Sequence, residues 1–198
     1  MRKGEKTREA ILDRALRMAS ELGLEGLTIG RLADELDLSK SGLFAHFSSK
    51  ENLQVRTLDR AAERFVEVVV RPTLAAPAGE PRLRALFEHW LDWPRRVRQP
   101  GGCIFAAAAA ELDDRPGPAR DRLVELQREW LATIERVVVR AKEVGHLGAH
   151  VEPGQLAYEL LGITLALNFQ DRLLREPRAR ERALTAFERL VADARPRS

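Results

Sequence analysis

The sequence predicts an all-α protein: a three-helix head at the N-terminus with a helix-turn-helix in it, then a larger helical domain. Three observations carry that expectation. Apolar residues recur at spacings of three and four along most of the chain. Ser and Thr stand just ahead of those runs, where N-caps belong, while Gly and Pro stand at their ends. No segment shows the sustained alternation of a strand.

The first helix is expected over 7–22, with Ile11, Ala15, Met18 and Leu22 on one face and Gly23 as its stop. Thr28 is placed to cap the second helix, with Leu27 packing on Leu32 as a hydrophobic staple. Ile29, Leu32, Ala33 and Leu36 form its buried stripe, and Arg31, Asp34 and Glu35 face away. After Asp37 the pattern repeats: Ser39 is the cap, Leu38 and Leu43 the staple, and Leu43 and Phe47 the inner face. The outer face of this third helix is then Lys40, Ser41, Gly42 and Ala45, with Phe44 and His46 beside them. Ser49 caps a fourth helix that opens at Lys50.

Two short amphipathic helices joined by a tight turn form a helix-turn-helix, and the small or basic outer face of the second suits approach to base edges in a major groove. Lys50 stands beside the free amides of a helix N-terminus, a favourable place for a backbone phosphate. The sequence pI of about 9.4 does not carry this reading. Residues 1–60 hold eleven Lys and Arg against ten Asp and Glu, so attraction to DNA must come from placement. Arg2, Lys3, Lys6, Arg31, Lys40 and Lys50 are expected near that surface, with Asp13, Glu21 and Glu25 turned elsewhere.

The stretch Leu38-Ser-Lys-Ser-Gly-Leu-Phe-Ala-His-Phe-Ser-Ser-Lys-Glu-Asn-Leu53, preceded by Gly23 and Leu27-Thr28, resembles the DNA-binding domain of TetR-family transcriptional regulators. The resemblance covers roughly residues 6–66 and is specific in its spacing. It implies that the helix at 39–46 is the recognition helix and that the helix opening at Lys50 links the DNA reader to a ligand domain. The DNA-contacting set it implies is Thr28, Arg31, Ser39, Lys40, Ser41, Gly42, Phe44, His46 and Lys50. One position departs: the family commonly has Tyr where this chain has Phe44, so packing is kept and a hydroxyl donor to phosphate is lost.

Beyond Lys50, the stripe Leu58, Ala62, Phe65 and Val69 extends one helix toward Pro72, and 72–81, rich in Pro and Ala, is expected to be a flexible loop. Helical period returns over 82–96 with Leu83, Leu86, Phe87, Trp90 and Leu91, until Pro94 bends or ends it. Gly101-Gly102 break the chain, 104–112 is an alanine-rich helix, and Pro116-Gly117-Pro118 is a stop. A longer helix follows to Val144 with Leu123, Leu126, Trp130, Ile134, Val137 and Ala141, ended by Gly145. Pro153 opens a helix that is apolar nearly all round, and after Pro177 a last amphipathic helix carries Ala183, Leu184, Phe187, Leu190, Val191 and Ala194.

A helix apolar all round must be covered on both sides, and a second copy of the chain is the expected cover. The resemblance implies the same: in the family the last two helices pair with their counterparts as a four-helix bundle. Leu160, Ile163, Leu167, Phe187, Leu190 and Val191 are the expected homodimer interface. A two-fold dimer would present two recognition helices to half-sites of a palindromic operator in double-stranded DNA. The aromatic set Phe87, Trp90, Trp93, Phe105, Trp130 and Phe169 makes a pocket for a mostly apolar or flat small-molecule effector, in the domain where the family places its effector cavity. The expected division is therefore 1–50 for DNA binding, 51–71 as connecting helix, and 72–198 for effector binding and dimerisation.

The remaining classes are disfavoured on sequence. No phosphate-loop, nucleophile-elbow, zinc-protease or dinucleotide glycine signature occurs, so no enzyme is expected. No cofactor or metal is expected either, because His146 and His150 with Glu152 lack a convergent ligand set. The longest apolar run, 160–167, is too short for a bilayer, and with a single cysteine and no signal core the protein is expected in the cytoplasm, away from membranes. Cys103, after two glycines at a helix start, reads as a small buried hydrophobe; the alternative to a small-molecule response is a DNA-binding regulator that responds through Cys103 oxidation or has no effector, the latter disfavoured by the size of the region after residue 72.

Overall fold

The computed structural model describes residues 3–197, with side chains described from residue 8 onward. Ten α-helices are described: α1 (Lys3–Gly26), α2 (Ile29–Leu36), α3 (Lys40–Phe47), α4 (Lys50–Phe65), α5 (Arg71–Ala75), α6 (Glu80–Arg96), α7 (Ile104–Leu112), α8 (Pro118–Glu143), α9 (Pro153–Arg172) and α10 (Ala179–Ala194). No strand occurs among the described residues, so the all-α expectation holds.

The chain forms two compact units. The described residues up to Phe65 join Pro94–Leu126 in one, and Val66–Trp93 joins the residues from Gln127 onward in the other. The three-helix head thus shares its unit with the segment 94–126, which carries α7, and α1 packs on both α4 and α7.

In the first unit Ile11, Ala15, Leu16 and Ala19 of α1 are buried with Leu27, Leu32, Ala33, Leu43, Phe47, Leu53 and Leu58. Burying each large apolar side chain here contributes about 1.5–3 kcal/mol relative to leaving it in water. Leu22, expected on this stripe, is 48% exposed. Directly after it Gly23 (φ 74, ψ 168) breaks the helical path before a further turn runs to Gly26. An ion-pair cluster bolts α4 to α1: Arg60 Nε donates to Asp13 Oδ1 at 2.8 Å and Arg64 Nη2 to Asp13 Oδ2 at 2.8 Å. Burial pushes the Asp13 carboxyl up, but the hydrogen bonds from the two guanidiniums outweigh it and hold the group below its usual range.

The second unit departs from expectation at 66–75. Val66–Val70 form a π-helical turn and Arg71–Ala75 a short α-helix with Pro72 in its first turn, so Pro72 opens a helix instead of a loop. The missing proline N–H is harmless at a helix start, and the wide turn before it makes room for the ring. Pro94 does not end its helix, since α6 runs on to Arg96.

Phe87 of α6 stacks on Phe187 of α10, with ring centroids 4.1 Å apart and planes 5° apart. Arg84 stands over the same Phe187 ring at 5.8 Å and donates to Glu188. α9 packs on α10, and Glu152 caps α9 by accepting from Gly154 N at 2.9 Å, one residue before the predicted Pro153 start. His146 and His150 are exposed, and no group of His, Cys, Asp or Glu among the described residues could hold a metal ion.

Candidate nucleic-acid interface

The helix-turn-helix is built by its caps. Thr28 Oγ1 accepts from Arg31 N at 3.2 Å, Ser39 Oγ from Gly42 N at 3.1 Å, and Ser49 Oγ from Asn52 N at 3.1 Å. Between α2 and α3 the turn is made by Asp37 in the left-handed region (φ 53), whose amide returns to Ala33 O and Asp34 O. Such C-caps close a helix where its carbonyls would otherwise be unpaired. Leu43 and Phe47 anchor α3 inward at 1% and 0% exposure.

That anchoring points the opposite face of α3 into solvent. Ser39, Lys40, Ser41, Gly42, Ala45 and His46 are exposed, and Phe44 is 56% exposed. A Cβ on Gly42 would stand 3.0 Å from the Ser39 hydroxyl, so a bare Cα leaves the cap undisturbed at that position. Lys40 lies across Gly30 of α2: a Cβ built there would be 3.9 Å from the Lys40 ammonium. The lysine charge therefore adds to the positive end of the α2 dipole, near the half-buried Thr28. Arg31 is exposed and donates to Gly26 O at 3.3 Å.

Lys50 is different. Its ammonium donates to Glu25 Oε2 at 2.8 Å, so Glu25 is not turned elsewhere but sits on the proposed phosphate contact. The reason lies outside the head: Glu111 of α7 accepts from Leu24 N at 2.8 Å and Glu25 N at 2.6 Å, fixing the backbone just before α2. Sequence reasoning missed Glu111, because nothing local marks an alanine-rich helix as the partner of a backbone amide 86 residues earlier. Arg2 and the side chains of Lys3 and Lys6 lie outside the described residues.

Residues 11–56 match the family model described as bacterial regulatory proteins, tetR family, and residues 79–187 match the tetracyclin repressor-like C-terminal domain. The chain belongs to the TetR family. Over 62 residues it is 42% identical to the HTH-type transcriptional repressor AcnR of Corynebacterium diphtheriae, a stretch covering 31% of this chain and 33% of that protein. Over 61 residues it is 38% identical to the class C tetracycline repressor protein of Escherichia coli, covering 31% of this chain and 26% of that one. The chain thus spans about a third of the length of the curated relatives it matches. A TetR transcriptional regulator from Chloroflexus aurantiacus superimposes with a TM-score of 0.84 at 26% identity, over 97% of this chain and 96% of that one. A TetR-family regulator from Cytophaga hutchinsonii shares the fold with a TM-score of 0.86 at 15% identity, over 100% and 99%.

The TetR-family C-terminal region arranges the remaining expected residues in separate places. Trp90 meets Trp130 edge to face at 5.0 Å, and Trp93 is fully buried in the same unit. Phe87 is occupied by Phe187, Phe105 packs edge-on against Phe65 at 5.9 Å, and Phe169 is 53% exposed. Of the residues expected at a dimer interface, Leu160, Phe187 and Val191 are 0–2% exposed, covered by their own chain; Ile163, Leu167 and Leu190 are half-exposed. The reason is that the Ala183, Phe187, Val191 and Ala194 stripe of α10 is spent inside the protomer. On α9 and the segment after it, Tyr158, Leu165, Phe169, Leu173 and Leu174 are 46–71% exposed. Cys103 is half-buried at the N-cap of α7, whose first amide, Ile104 N, donates to Gln99 Oε1 at 3.2 Å. No described helix is long and apolar enough to cross a membrane.

Proposed function

We propose that this chain is a ligand-responsive repressor that binds a palindromic operator as a homodimer and is released by a small-molecule effector. The observation that carries the reading is α3, capped by Ser39, anchored by Leu43 and Phe47, and open to solvent along Lys40, Ser41, Gly42, Phe44 and His46. Thr28, Arg31 and Lys50 flank it as backbone contacts. The open apolar row from Tyr158 to Leu174 supports pairing of two copies through α9 and the segment after it, with Ile163, Leu167 and Leu190 at its margin. Repression is supported by the likenesses to AcnR and the tetracycline repressor, each over about a third of this chain.

Effector response is supported by the match of the second region to a tetracyclin repressor-like domain and by the Trp90–Trp130 pair within it. A similar fold, AibR, was solved in complex with isovaleryl coenzyme A and operator DNA, at 24% identity and a TM-score of 0.69. In the proposed mechanism the effector binds better to a conformer in which α4 carries the recognition helices out of register with the groove, and a coupling of about 1–3 kcal/mol suffices. The test is selection of bound duplexes from a random pool, followed by affinity measurement against a library of small metabolites. Retention of a symmetric sequence, weakened by a library member, is expected. Failure to enrich any sequence overturns the DNA reading, and undiminished affinity across a library that demonstrably binds the protein overturns the switch.

A further inference from the structure

We propose that Glu25 is a built-in competitor of operator phosphate for Lys50, and that Glu111 is the positioning residue that holds it there. The proposal rests on reading Lys50 as a phosphate contact. Its ground is a chain of contacts that begins outside the head. Gly23 breaks α1 and leaves the amides of Leu24 and Glu25 without helical partners. Both donate to the carboxylate of Glu111, at 2.8 and 2.6 Å. A Cβ on residue 23 would stand 2.8 Å from Glu111 Oε2, so only glycine admits the carboxylate this close.

The backbone so pinned delivers the Glu25 side chain to Lys50, where its Oε2 accepts from the ammonium at 2.8 Å. Gln54 reinforces the arrangement, donating to Leu24 O at 2.8 Å and to Glu25 Oε1 at 3.4 Å. The hydrogen bond from Lys50, then that from Gln54, keeps the Glu25 carboxyl ionised below its usual range. The ion pair is open to water, with the two side chains 36% and 46% exposed, so a phosphate can compete for the lysine. DNA must then either displace Glu25 or share Lys50 with it, and in both cases the attraction at this corner is smaller than a bare lysine would give. Because Glu111 belongs to α7 rather than to the head, the firmness of this hold is set from outside the DNA reader.

The experiment uses the full chain and a labelled duplex selected from a random-sequence pool by wild-type binding, with affinity followed against salt. Glu25→Gln keeps the hydrogen-bonding shape and removes the charge. It is expected to tighten binding about fivefold at low salt and steepen the salt dependence by about one unit per protomer, as one more counterion is released. Glu111→Gln is expected to shift affinity and slope the same way by less, and to add nothing in a Glu25→Gln background. A merely structural role would lower the melting temperature without changing the slope. In a Lys50→Ala background, Glu25→Gln is expected to have no effect. Unchanged or weaker binding by Glu25→Gln, or full tightening without Lys50, overturns the proposal. If Lys50→Ala itself binds like wild type, the phosphate reading of Lys50 fails as well. If Lys50→Ala weakens binding and Glu25→Gln does not tighten it, only the competitor fails. Should Glu111→Gln not fold, the Glu25 and Lys50 variants decide the matter.

Discussion

Glu80 at the start of α6 and Arg195 just past the end of α10 form a two-pronged pair, Nη2 to Oε1 at 2.9 Å and Nε to Oε2 at 3.0 Å. Arg84 donates to the same carboxylate from one turn along α6. The Arg195 hydrogen bond, then the Arg84 one, outweighs burial and pulls the Glu80 carboxyl from its ordinary 4.5 down to about 2. A depressed folded-state value means that the stabilisation is present above about 4.5 and lost as pH falls toward 2. Chemical unfolding of wild type and Glu80→Gln across that range is therefore expected to show a gap in stability at neutral pH that closes on acidification. A gap independent of pH would show that the carboxylate charge is not what matters.

Ser39 separates folding from recognition. Ser39→Ala removes the α3 cap and is expected to cost about 1 kcal/mol of stability. Ser39→Asp keeps a capping oxygen, so thermal unfolding is expected to stay close to wild type, while a new negative charge on the proposed DNA face abolishes duplex binding. Fluorescence anisotropy and calorimetry on the two variants test this, and an Asp variant that binds like wild type would move the interface away from α3.

Gly101 lies close against the backbone of α1. A Cβ there would fall 1.4 Å from Ser20 O, and Gly101 N donates to the Ser20 hydroxyl at 3.3 Å. Gly101→Ala must push the 98–103 segment off α1, and a loss of about 3 kcal/mol or more is expected, at the upper end of overpacking effects. A melting temperature near that of wild type would contradict the packing described.

The open row on α9 makes a prediction about assembly. Phe169→Glu places a charge among exposed apolar neighbours, so sedimentation is expected to show a folded monomer with an unchanged helical spectrum. Phe187→Ala, by contrast, empties the stack on Phe87 and is expected to cost about 3–5 kcal/mol within each protomer. If Phe187→Ala dissociates copies without lowering stability, the assignment of inner and outer faces is reversed.

What the sequence by itself determined is what acts within about four residues of chain. Thr28, Ser39, Ser49 and Pro153 mark their helix starts because a side-chain oxygen or a fixed φ acts on its own first turn, and Leu43 and Phe47 share a face because one helical turn brings them round. Tertiary structure decided which apolar residues are spent inside: α10 buries Phe187 and Val191, while α9 leaves Leu165 and Phe169 open. It also decided that the Lys50 ammonium carries Glu25 and that Glu111 reaches the break at Gly23. These depend on which distant segments arrive at one point, and a carboxylate 86 residues away leaves no trace in local spacing because its effect begins only once the chain has packed.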